Sequence, residues 1–140
     1  MWLWYNGCIV KKGEIIMEYR VWDKVTESYG SGGLWSITPI GSLFYGNALW
    51  TEGIVERFTG MFDKNGVKIY ENDIVKIKLG DIYGDAHVYV VAVAAWCEDA
   101  CGFRFRDSRG EYEYFTYPRL EVIGNIHDKS DIAGELLKAK

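Results

Sequence analysis

The stretch "FTGMFDKNGVKIYENDIVKI", Phe58 to Ile77, gathers carboxylate and amide side chains that could do chemistry. Asp63, Asn65, Glu71, Asn72 and Asp73 offer oxygen ligands for a hard cation, or paired carboxylates for acid–base work. A calcium loop, however, needs oxygen ligands alternating through about 12 residues, a closing Glu and flanking helices. The apolar run "VKIY" interrupts any such alternation. These polar residues fall instead where turns fall, because Asp and Asn side chains bond their own backbone and Asn and Gly tolerate left-handed conformations. The expectation is scaffold. Asn65 and Gly66 take positive φ in a tight hairpin turn, Gly60 marks a bulge or a close backbone approach, and Tyr70, Asn72 and Asp73 shape the next turn.

Cys97 and Cys101 in "CEDAC" are a second candidate. Four-coordinate zinc wants four ligands, and His87, His127 and Cys8 supply no second pair at ligand spacing. The spacing is also not that of a Cys-x-x-Cys redox motif. His127, after "IGN", has neither a nucleophile nor an orienting group beside it in sequence. There is no phosphate-cradling glycine loop and no helical metalloprotease motif. The reading is a protein that is not an enzyme, with no cofactor and no metal site.

The third candidate is "GFRFRDSRGEYEYF". Phe103 and Phe105 alternate with Arg104 and Arg106, and Arg109 sits at the turn; arginines and aromatics on a small barrel are what single-strand nucleic-acid binders use. Internal pairing competes with this. A turn about Ser108 and Arg109 sets Arg106 opposite Glu111 and Arg104 opposite Glu113, with Phe105 against Tyr112 and Phe103 against Tyr114. A left-handed bulge at Gly110 would slip that register by one. Internal pairing is the favoured expectation, and nucleic-acid binding through Arg104, Arg106, Arg109, Phe103 and Phe105 is the alternative.

The elements that hold these residues are nearly all β. Short apolar or alternating runs ("EYRVW", Leu34 to Ile37, Leu43 to Tyr45, Ile54 to Phe62, "VKIY", "IVKIKL", "HVYVVAVAAW", "GFRFRD", "EYEYFTY", "LEVIGNI") are separated by turn residues. Five short strands in the second half suggest a small SH3-like barrel, whose closure removes exposed edges. Only "SDIAGELLKAK" reads as helix, with Ser130 as cap and Ile132, Leu136 and Leu137 on one face. The strand "HVYVVAVAAW" is apolar on both faces, so its outer face needs a cover. The segment around Trp22, Trp35 and Trp50 is the expected cover, and a second copy of the chain is the alternative.

With 140 residues, 49% apolar and 26% charged, the chain has the size of one domain. Its longest apolar run, Val88 to Trp96, is far shorter than the roughly 20 residues a membrane-spanning helix needs. A net charge of -4 argues against a general polyanion binder. Three cysteines and no recognisable signal peptide fit a reducing, cytoplasmic compartment. Residues 1–16 read as a translated upstream leader ahead of a start at Met17, because "KKGE" before Met17 implies a purine-rich tract like a ribosome-binding site. Residues 17–140 then form one domain, divided into a β segment over 17–70, a barrel-like region over 71–127 and a short helix over 130–138.

"EYRVWDK", "FTGMFDKNGVKIYENDIV" and "EVIGNIHDKSDIAGEL" resemble, in this order, three signature blocks of the YopX family of phage and prophage proteins. Gly124 and Asn125 lie in the third block. Asn72 stands where the family usually has glycine before the Asp-Ile-Val element, a substitution compatible with a left-handed turn. The resemblance implies a β-rich fold encoded by a phage or an integrated prophage, and it carries no catalytic activity over to this chain. The expected function is a non-catalytic protein-interaction or structural module, with a host or phage protein as partner.

Overall fold

The computed structural model describes residues 3–5, 8–11, 14–30, 35–38, 42–78, 89–110, 112–113, 120–128 and 131–138. The chain divides into two compact units, Met1–Phe58 and Thr59–Lys140.

Runs of alternating side chains build the first unit from short antiparallel strands: β1 (Leu3–Tyr5), β2 (Cys8–Lys11), β3 (Glu14–Asp23), β4 (Ser28–Tyr29), β5 (Trp35–Ile37), β6 (Leu43–Tyr45), β7 (Ala48–Leu49) and the start of β8 (Gly53–Phe62). At the start of the chain Leu3 pairs with Val10 and Ile9 with Met17. Period-two alternation along β3 turns Tyr19 and Val21 inward, where they bury with Ile37 and Leu43 against Trp35, Trp50 and Val55. On the other face of β8, Glu56 is buried and accepts hydrogen bonds from Arg20 Nε (2.8 Å) and the Tyr29 hydroxyl (3.0 Å). A buried carboxylate is tolerable here because it is both charge-paired and hydrogen-bonded.

The second unit contains the end of β8, β9 (Lys68–Tyr70), β10 (Asp73–Lys78), β11 (Tyr89–Cys97), β12 (Gly102–Asp107), β13 (Tyr112–Glu113), β14 (Leu120–Asn125) and the helix α1 (Asp131–Lys138). Five of its strands form an antiparallel sheet in the order β13-β12-β11-β10-β14. The sheet curls around one core of Ile69, Val75, Ile77, Ala92, Ala94, Phe105 and Leu120. Ile69 on β9 belongs to that core. The fold is therefore mostly β with one short C-terminal helix.

The outer face of β11 is covered by that helix. Ala133 on α1, 1% exposed, packs with Ile74 on β10 and Val93 on β11, flanked by Val91 and Ile126. Trp35 and Trp50 pack on the core of the first unit. Among the described side chains of the helix, Ala133 is buried against the sheet and Ile132 is exposed. Ser130 lies outside the described residues.

The turn after β8 joins Gly66 N–H to the Asp63 carbonyl (3.0 Å), and Gly66 stands at φ +78°. Asn65 is not at positive φ. The turn thus confines its left-handed position to the glycine, as in a type I turn closed by a glycine bulge. A Cβ at Gly66 would meet nothing within 4 Å, so only backbone strain opposes substitution. Gly66→Val should cost about 1–3 kcal/mol, read as a lower urea midpoint at unchanged slope. An unchanged midpoint would show that the turn does not need this conformation.

Candidate functional site

Asp63 is 1% exposed, and its carboxylate is used up by main chain. Oδ1 accepts the N–H of Asn65 (2.8 Å) and of Val67 (2.9 Å), and Oδ2 accepts the N–H of Val122 on β14 (3.1 Å), 59 residues away. Burial pushes the carboxyl's pKa up, but the three amides from Val67, Val122 and Asn65, with help from the Lys64 charge, outweigh it and hold the group below its ordinary value. Such a carboxylate stays ionised and oriented. It ties a hairpin turn to the far strand of the sheet.

The same arrangement recurs at other strand ends. Each remaining buried aspartate accepts a local backbone N–H: Asp23 from Val25 (2.9 Å), Asp73 from Tyr70 (2.8 Å) and Asp107 from Arg109 (2.9 Å). Asn72 occupies a left-handed position, φ +69°, with its N–H on the Ala94 carbonyl and its carbonyl taking the N–H of Ile126. Gly60 is at φ +84° with open space where a Cβ would stand, so its left-handed backbone and not a close approach explains the glycine. At Gly124 a Cβ would run into the Asp128 carboxylate, which accepts the Asn125 N–H (2.9 Å), while Asn125 Oδ1 accepts that of His127 (2.9 Å).

Among the described residues no three of His, Cys, Asp and Glu are grouped as a metal would need. Cys97 and Cys101 are both free thiols at the β11–β12 hairpin, the first buried and the second exposed, so they face different surroundings. His87 lies outside the described residues.

The arginine hairpin is corrected in register. Arg106 pairs with Tyr112 and Phe105 with Glu113. Gly110, at φ +81°, donates its N–H to the Asp107 carbonyl (3.0 Å) and inserts the left-handed bulge that slips the strands by one. Glu111 and Tyr114 lie outside the described residues. Phe105 is in the core at 1% exposure, and Arg106 is buried at 8%. Arg109 folds back so that Nε and Nη2 both donate to Asp107 Oδ2 (2.9 and 2.6 Å). Phe103 meets Trp96 edge-on at 5.2 Å, and Arg104 Nη1 donates to the Phe103 carbonyl (2.7 Å). The five residues do not form one open strip.

A feature that pattern reading misses lies in the first unit. Tyr29, Trp35, Tyr45 and Trp50, with Asp23 and Thr26, line an open cleft of about 330 Å³. They come from separate turns and strands, and only the density of Trp and Tyr in that half of the sequence hints at it.

The protein-family model described as "YopX protein" matches residues 36–133. The chain belongs to the YopX family. No curated protein matches it. Protein yopX from Bacillus subtilis has a similar solved structure, with a TM-score of 0.54 at 19% identity over 84% of this chain and 97% of that one. So has protein EF1440 from Enterococcus faecalis, with a TM-score of 0.51 at 21% identity over 81% and 95%. At such identities the YopX likeness establishes a shared fold. The Asp63 turn, Asn72 and Gly124 lie within the matched YopX region, whereas Asp23, Tyr29 and Trp35 of the cleft precede it.

Proposed function

We propose that this YopX-family chain is a phage- or prophage-encoded binding module that acts in the host cytoplasm through its surface and not by catalysis. The observation that carries the reading is the Asp63 carboxylate: the residue best placed for acid–base or metal chemistry has its oxygens committed to three backbone amides. Its depressed pKa keeps it from serving as a proton donor near neutrality. The curled sheet around one core is compatible with a small SH3-like barrel, a scaffold that presents loops and edges to partners.

Binding of single-stranded nucleic acid is the weaker reading, since it needs stacking faces and free cations, while Phe105 is enclosed in the core and Arg109 is held by Asp107. Affinity capture from induced host cells, with and without nuclease, tests the ranking. A specific protein partner retained after nuclease treatment is the expected result. Recovery that collapses with nuclease, together with tight, salt-sensitive binding of a labelled oligonucleotide, would reverse it.

A further inference from the structure

Trp35, Tyr45 and Trp50 meet one another at centroid distances of 5.0, 6.0 and 6.1 Å with interplanar angles of 59°, 82° and 55°. Rings so tilted do not stack; they form a corner whose faces point in different directions, and each face carries negative quadrupole potential. Asp23 lines the same cleft. Its carboxylate accepts the Val25 N–H and the Thr26 hydroxyl, and among the described residues no cation pairs with it. Among the described residues no lysine or arginine lines the cleft. A carboxylate beside electron-rich rings attracts a cation and repels phosphate.

The first unit already contains one such recognition event. The Arg20 guanidinium lies 4.2 Å from the centroid of the Tyr29 ring while its Nε donates to the Glu56 carboxylate at 2.8 Å. Ring face and carboxylate together hold a guanidinium there. The cleft repeats that combination with Asp23 in the part of Glu56, and among the described residues no cation fills it.

We infer that this cleft receives a lysine or arginine side chain of a protein partner, with the cation against Asp23 and the faces of Trp35, Tyr45 and Trp50. The inference deepens the binding-module reading and rests on it. A cleft of about 330 Å³ accommodates one such residue with its adjoining peptide groups.

The test follows the indole N–H resonances of Trp35 and Trp50 in the full chain by nitrogen-15 NMR. The probes are N-acetyl-lysine methylamide, N-acetyl-arginine methylamide, the uncharged N-acetyl-norleucine methylamide and thymidine 5′-phosphate. The two blocked cationic residues should shift these resonances saturably, with Kd of about 1 mM as befits one side chain. Norleucine and the nucleotide should not. Asp23→Asn, which keeps an acceptor for the Val25 N–H but removes the charge, should weaken binding about tenfold or more. Tyr45→Leu, at an exposed position, should do the same with the melting temperature nearly kept.

Equal shifts from norleucine, stronger binding of the nucleotide, or undiminished binding in both variants would overturn the inference. So would an absence of saturable shifts. A protein partner captured equally by the wild type and the Asp23→Asn/Tyr45→Leu double variant would overturn the cleft assignment and leave the binding-module reading standing.

Discussion

Asp63→Ala should destabilise the second unit by about 3 kcal/mol. The substitution leaves the N–H groups of Asn65, Val67 and Val122 without their acceptor. The first two lie in an exposed turn and recover water, whereas Val122 sits on a partly buried strand and loses more. Relief of the carboxylate's own desolvation offsets part of the loss, so the cost stays well below the sum of three charge-assisted bonds. Urea unfolding reads it directly. The pH dependence gives a second check. Because the folded pKa lies below the unfolded value of about 3.9, the contribution is complete above that value and is lost as pH falls through the folded pKa. Asp63→Asn should flatten this acid limb. Wild-type stability in the alanine variant would mean that the turn does not depend on its carboxylate.

Phe105→Ala should cost about 3–5 kcal/mol. The ring is 1% exposed and packs in the core with Ile69, Val75, Ile77 and Leu120. Truncation leaves a cavity that the surrounding strands, fixed in register by β11, can close only in part. The variant also separates two roles for the hairpin. A ring that stacks on a nucleobase can be removed with little loss of fold, while a core ring cannot. A denaturation midpoint close to wild type would place Phe105 at the surface and revive the strand-binding reading.

Local turn chemistry was the legible part of this chain. Few residue types tolerate a left-handed backbone, so Gly66 and Asn72, both at positive φ, can be located from residue type and neighbours alone. Strands such as β6 and β12 follow from alternation between turn residues. What could not be read depends on choices made at a distance. The β12–β13 register turns on whether Gly110 adds a bulge, and both registers satisfy part of the charge and aromatic pattern. That Arg106 is buried and Arg104 is not follows from how the sheet curls, which no local spacing encodes. The cover over β11 could have been any apolar segment; Ala133 serves because a small side chain lets the helix approach Ile74 and Val93 closely. The tie from the Asp63 turn to the sheet is likewise invisible locally, since the Val122 amide arrives from another strand. The cleft draws on residues from Asp23 to Trp50 with no shared period, and only folding assembles them.

The central claim is that the carboxylates which look chemical are fixed to main chain as scaffold, and the titration of the Asp63 carboxyl tests it most directly. Carbon-13 NMR of that carboxyl carbon across the acid range should give a midpoint below the ordinary aspartate value of about 3.9, in line with its three backbone donors. A midpoint at or above that value would mean that the backbone donors do not hold the carboxylate, and would contradict the account.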